Sequence, residues 1–260
     1  MKRTLITGAS SGIGAALARE LARRGWAVAL LARRAELLDD LAQELTSRGT
    51  QAVAIACDVS NTASVKDAVR AAETALGGPI DLAVANAGVS VPTHAASFNL
   101  GDAEQMIRVN VLGMFYLFDA VIPSMVERRE GRFAGVASIA GLRGLPASAV
   151  YSASKSAMQS FLEASRVELK SFNVGVTTVN PGFIATPMTE KNRFRMPFLM
   201  QPEDAATRIA DGLENGDRLI EFPRPMSLLM RFARLLPAAI YERVTEPYGR
   251  RKLDPSRVKR

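Results

Sequence analysis

The chain has 260 residues, 48% of them hydrophobic, and a formal net charge of +7. That length suits one large α/β unit with a substantial core better than two independent domains. No apolar run approaches the ~20 residues that span a bilayer, the first strand-like run leaves no room for a cleavable signal, and the lone Cys57 cannot form an internal disulfide, which fits a reducing cytoplasm. The charge is uneven: from Pro223 to Arg260 there are ten basic and three acidic residues, a difference of +7, so residues 1–222 balance to zero. A basic tail on a neutral body argues against a nucleic-acid binder.

Apolar runs of strand length alternate with longer amphipathic segments. In chain order, strands are predicted at Arg3–Thr7, Ala27–Leu31, Ala52–Ala56, Leu82–Ala85, Arg132–Ala137, Val174–Val179 and Leu219–Glu221. Helices are predicted between them at Ile13–Arg24, Ala35–Ser47, Thr62–Leu76, Asp102–Arg128, Ala149–Lys170 and Pro202–Glu214. Most strand candidates are continuously apolar, as parallel strands buried on both faces should be. The alternation implies a Rossmann-like, doubly wound parallel sheet of about seven strands, with helices on both faces and right-handed crossovers. Pro181, Gly182, Pro187 and Pro197 make residues 181–201 an irregular loop. The expected division is a catalytic unit over 1–222 and a basic helical extension over 223–260.

After the first strand comes Thr7-Gly8-Ala9-Ser10-Ser11-Gly12-Ile13-Gly14, opening the first helix. Gly8, Gly12 and Gly14 permit tight turning and close approach of backbone to a pyrophosphate at a helix N-terminus. The second strand ends in Ala32-Arg33-Arg34, where an NAD site usually carries an acidic side chain for the ribose 2′-hydroxyl. Ala32 cannot take that role. Arg33 and Arg34 suit a 2′-phosphate, so NADP(H) is the expected cofactor in preference to NAD(H). Further on, Tyr151 and Lys155 stand one helical turn apart in Tyr151-Ser152-Ala153-Ser154-Lys155. An ammonium beside a phenol favours phenolate and lowers the phenol pKa, which suits general acid–base work on an alcohol or carbonyl.

With these residues assembled, the chain resembles the short-chain dehydrogenase/reductase family, from Lys2 to about Glu221. The family's Asn86-Ala87-Gly88 follows the fourth strand, and Asp58-Val59 matches the pair that contacts adenine. Asn110 matches the active-site helix asparagine and Ser138 the catalytic serine. Pro181-Gly182, Ile184 and Thr186 match the segment that holds the nicotinamide carboxamide, and Ser10, Ser11 and Ile13 belong to the glycine loop. Taken singly, Ser138 reads as a turn serine and Asn86-Ala87-Gly88 as a strand-ending turn; their joint order carries the resemblance.

The resemblance implies an NADP(H)-dependent oxidoreductase acting on a carbonyl or secondary alcohol. Ser138 would bind the carbonyl oxygen, Tyr151 would deliver the proton, Lys155 would lower the tyrosine pKa and bind the nicotinamide ribose, and Asn110 would hold a water. It also implies a homodimer or homotetramer through the long helices. The alternative is a non-catalytic NADP(H)-binding regulatory protein on the same fold, which the intact Asn110, Ser138, Tyr151 and Lys155 argue against.

Candidate substrate walls are Ser90–Ala96, Leu142–Ala147 and Thr189–Met200, whose Val91, Leu142, Leu145, Phe194, Met196, Phe198, Leu199 and Met200 favour an apolar compound. No Cys, His and carboxylate cluster suggests a metal site, and His94 reads as a loop residue. In residues 226–241, Leu228, Leu229, Phe232, Leu235 and Leu236 form an apolar helical face ending near Pro237. Two readings stand: the face packs over the cleft or a subunit neighbour, or the basic helix lies peripherally on an anionic membrane. The last ten residues read as frayed.

Overall fold

The computed structural model describes residues 1–190, 192 and 195–251. Its strands are β1 (Arg3–Thr7), β2 (Ala27–Ala32), β3 (Ala52–Ala56), β4 (Leu82–Ala85), β5 (Arg132–Val136), β6 (Gly175–Pro181) and β7 (Leu219–Phe222). They pair in parallel in the order β3-β2-β1-β4-β5-β6-β7. Strand order reverses between β1 and β4. A crevice therefore opens at their carboxyl ends, the place where such sheets take ligands.

The helices are α1 (Gly12–Arg23), α2 (Ala35–Ser47), α3 (Thr62–Leu76), α4 (Leu100–Ile107), α5 (Gly113–Arg128), α6 (Ala149–Glu168), α7 (Pro202–Glu214), α8 (Arg224–Leu235) and α9 (Ala238–Arg251). Local chemistry sets their ends. In α3, the Asn61 side chain accepts from the Ser64 amide at 3.1 Å, and Gly77 closes the helix at φ +71°. The two sheet faces bury separate cores. Val28 and Leu30 pack with α1, α2 and α7, whereas Ala29 and Leu31 pack with α3, α5 and α6. Burying leucines on alternate faces of one strand, at ~2 kcal/mol each, is what a continuously apolar strand achieves.

Two sequence expectations need correction. The helix predicted over Asp102–Arg128 starts at Leu100 and is interrupted by a π-helical turn at Arg108–Leu112. The 100–128 stretch is also long and apolar enough to cross a membrane, with an 18-residue window of mean hydropathy 1.6, although no such run was expected. Here Met114, Leu117, Val121 and Met125 bury against the sheet, so the apolarity of that one face belongs to the core. In the irregular 181–201 loop, Ile184 bridges to Met200. Phe194, and the frayed end expected beyond Arg251, lie outside the described residues.

Candidate active site

The glycine loop is fixed from below by β4. Asn86 Nδ2 donates to the Thr7 and Gly8 carbonyls at 2.9 and 3.3 Å. Thr7 Oγ1 accepts from the Asn86 and Ala87 amides at 3.0 and 3.1 Å. Close packing explains the glycines: a Cβ on Gly14 would stand 2.3 Å from the Gly8 carbonyl oxygen, and one on Gly8 (φ +68°) would stand 2.8 Å from Ala87 Cα. The loop delivers the N-terminus of α1, where Ser11 makes no side-chain cap. Helix-terminal N–H groups have no partner within their own helix and are suited to an anion. These residues fit a dinucleotide pyrophosphate.

At the far end of the crevice, Arg34 Nη2 donates to Ser10 Oγ and Ser11 Oγ at 2.8 and 2.9 Å. One guanidinium and two hydroxyls therefore converge beside the loop, matching phosphate-oxygen chemistry. A cavity of about 340 Å³ opens next to Ser10, Ser11 and Gly12; Tyr151 and Lys155 are not among its lining residues. Arg33 is exposed. Asp58 accepts from the Ser60 amide and hydroxyl at 3.0 and 2.8 Å, which with the nearby Arg33 charge holds its carboxyl below the usual range. Val59 is buried against Gly113.

At the other end, β5 delivers Ser138 and α6 delivers Tyr151 and Lys155. Ser138 Oγ accepts from the Ala140 amide at 3.1 Å and donates to the Pro181 carbonyl at 3.4 Å, joining the serine to the Pro181-Gly182 segment. Tyr151 keeps part of its surface open to the crevice. Burial nevertheless pushes its phenol up, while a hydrogen bond with Ser138 pulls the other way. Lys155 is 4% exposed, and its Nζ donates to the Val136 carbonyl at 2.8 Å. Desolvation lowers its pKa to about 8.

This corrects the expected electrostatics. The ammonium lies 5.8 Å from the Tyr151 ring centroid, and the phenol shifts upward, not downward. Helical spacing brought the two groups together; burial in the folded chain sets the direction of both shifts.

Asn110 sits in the π-helical turn, fully buried. Its Oδ1 accepts from the Val89 amide at 2.8 Å, and its Nδ2 donates to the Val89 carbonyl and Ser154 Oγ at 3.0 Å each. Gly88 lies beside both Asn110 and Lys155: a Cβ there would stand in ordinary contact with Asn110 Oδ1 at 3.4 Å and Lys155 Nζ at 3.5 Å. On the opposite wall, a Cβ on Gly12 would meet Thr186 Cγ2 at 2.9 Å. Thr189 Oγ1 holds that turn by donating to the Ile184 carbonyl at 2.6 Å and accepting from the Thr186 amide at 3.0 Å.

Thr7 and Gln159 were missed in the sequence. Gln159 Nε2 donates to the Ser138 carbonyl at 2.7 Å and to Asn180 Oδ1 at 2.9 Å. The signal was present, because Gln159 continues the four-residue step of Tyr151 and Lys155 on one helix face. Of the expected substrate walls, the first two meet: the Thr93 amide donates to the Ala147 carbonyl at 3.0 Å. His94 Nε2 lies 3.1 Å from the Gly249 carbonyl oxygen.

The sequence model described as short chain dehydrogenase matches residues 2–196. A relative in Myxococcus xanthus, named only as an uncharacterized oxidoreductase, is 39% identical over 241 residues, covering 93% of this chain and 95% of its own. A short-chain dehydrogenase/reductase from Burkholderia phymatum in complex with NAD superposes with a TM-score of 0.82 at 25% identity, over 88% of this chain and 92% of the other. An actinorhodin polyketide ketoreductase with NADPH gives 0.79 at 28% identity, over 87% and 97%. The chain is therefore a member of the short-chain dehydrogenase/reductase family of oxidoreductases.

Proposed function

We propose that the protein is an NADP(H)-dependent reductase of apolar carbonyl compounds, with Tyr151 as general acid. The observation that carries this is Tyr151 standing against Ser138 with Lys155 one turn below, at the sheet end that also holds the glycine loop. Bound in the crevice, the dinucleotide would supply or accept the hydride.

The chain's own residues divide the remaining work. Ser138 hydrogen-bonds the carbonyl oxygen as negative charge develops. Tyr151, kept neutral by burial, is in the protonation state that donates to that oxygen. The Lys155 ammonium stabilises the phenolate left behind and also binds the nicotinamide ribose. Asn110 positions the base of this group through Val89 and Ser154 and holds a water that links Lys155 to solvent. Gly8, Gly12 and Gly14, with Ser10, Ser11 and Ile13, hold the pyrophosphate. Asp58 and Val59 border the adenine, Asn86, Ala87 and Gly88 floor the crevice, and Pro181, Gly182, Ile184 and Thr186 hold the carboxamide. Alcohol oxidation runs through the same groups in reverse.

Preference for NADP(H) rests on Arg34, already gathered with Ser10 and Ser11, and on Arg33 beside it. Solved relatives carry both kinds of dinucleotide, so the proposed preference is argued from the arginines of this chain alone. Residues 1–222 form the catalytic unit and 223–260 a helical extension. A homodimer or homotetramer would use α5 and α6, where Phe115, Phe118 and Phe161 line an apolar surface cavity of about 420 Å³. The buried, unpaired Cys57 thiol suits a cytoplasmic location.

The test is NADPH oxidation over carbonyl compounds of graded chain length and ring size. Turnover that grows with apolar size is the expected result; no turnover of any carbonyl, despite tight NADPH binding, would favour the regulatory reading.

A further inference from the structure

The C-terminal helix α8 is apolar on two sides, and α9 carries an apolar outer stripe. Inward, Met226, Ser227, Met230 and Ala233 are the less exposed residues of α8, which rests on β7 and the Ile139–Gly141 turn. The apolar face read from the sequence therefore does not pack over the cleft. The residues picked out there point the other way: Leu228, Leu229, Phe232 and Leu235 are 67%, 64%, 62% and 81% exposed. In α9, Ile240, Val244 and Tyr248, spaced by four, are also exposed. Solvent-facing stripes of this size mark a binding surface.

The pair is held firmly. Arg143 Nη1 donates to the Ala233, Arg234 and Leu236 carbonyls at 2.8–2.9 Å, satisfying the end of α8. Its guanidinium also stacks 4.1 Å from the Tyr241 ring centroid. Tyr241 donates to the Gly144 carbonyl, and His94 meets Gly249. Loops from the expected substrate walls therefore anchor the inner faces of both helices.

What covers the outer faces is indicated by charge. Arg224, Arg234 and Arg243 are exposed on these helices, and the 223–260 segment carries all of the net +7. A second copy docked through this face would bring two such segments together, and like charges oppose that contact. An anionic bilayer satisfies both properties, taking the apolar side chains below its headgroups and the arginines among them.

We propose that the outer face of α8 and α9 docks on an anionic phospholipid bilayer, with the substrate-side loops held against the helices' opposite face. This does not rest on the reductase reading.

Full-length protein would be floated with vesicles of phosphatidylcholine alone or mixed with phosphatidylglycerol, at low and high salt. The wild type should float with the anionic vesicles only, and less at high salt. Leu228→Asp/Phe232→Asp should cut vesicle partitioning by ~10-fold or more, with thermal melting and oligomeric mass unchanged. Arg224→Gln/Arg243→Gln, which spares the apolar stripe, should reduce binding ~10-fold. Wild type that stays unbound, or an aspartate variant that floats like it, overturns the proposal. So does a fall in oligomeric mass on aspartate substitution, since the face would then be a subunit contact.

Discussion

The two ends of the crevice are built on different physical terms. Around Tyr151, the polar groups are enclosed and each of three holds a backbone partner: Lys155 the Val136 carbonyl, Asn110 the Val89 amide and carbonyl, Ser138 the Pro181 carbonyl. Around Arg34, an exposed guanidinium bonds to the half-buried Ser10 and Ser11 hydroxyls. Enclosure raises the energetic stake of each bond, because a buried group that loses its partner has no water to replace it. On the reading proposed above, the closed end is where the chemistry would be set and the open end where a dinucleotide would be chosen. Substitutions at the first should change rate; substitutions at the second should change preference.

The largest effect is expected at the hydroxyl itself. Tyr151→Phe should lower kcat by ~10²-fold or more with unchanged melting and NADPH affinity; near wild-type turnover would remove Tyr151 from the reaction. Lys155→Met should lower kcat and weaken NADPH binding together, as fluorescence titration would show. Its titration gives a sharper check. Burial disfavours the charged ammonium, so the folded protein loses this proton near pH 8 while the unfolded chain keeps it to 10.5. Between those values the unfolded state binds more protons, and the stability contribution rises with pH. NADPH affinity should fall over the same window as the cation is lost. Opposite trends in melting and affinity, both absent in Lys155→Met, are the expected signature, and parallel trends would contradict it.

At the open end, Arg34→Ala should raise the KM for NADPH by ~10-fold and leave NADH nearly unchanged, since a charge-assisted bond to phosphate is lost. An equal change for both dinucleotides would break the contrast between the two ends. The smallest effect belongs to Gln159→Leu, which frees the Ser138 carbonyl. About 1 kcal/mol, or ~5-fold in kcat, is expected, with the KM for NADPH unchanged; a change confined to melting would make Gln159 purely structural.

Much of this was legible in the chain. Continuous apolar runs marked the strands, and Ala35–Ser47, Thr62–Leu76 and Pro202–Glu214 match the helix bounds read from the sequence. Gly8, Gly14 and Asn86 meet at the β1–β4 crevice because backbone crowding admits no larger residue there. The π-helical turn at Arg108–Leu112 was not legible, since a local slip in hydrogen bonding leaves the apolar pattern unmarked. Spacing set Tyr151 and Lys155 on one face, but the sign of the phenol shift depends on burial, which only the folded chain supplies. The packed face of α8 could not be read, because both faces are apolar and only contact with β7 distinguishes them.

The central claim is that Tyr151 and Lys155 act on a nicotinamide held at the closed end. A crystal structure with NADPH bound tests this most directly. The Tyr151 hydroxyl should face the reactive edge of the ring, with the Lys155 ammonium within hydrogen-bond reach of the adjoining ribose. A ring lodged away from Tyr151, with Lys155 still bonded only to the Val136 carbonyl, would contradict the account.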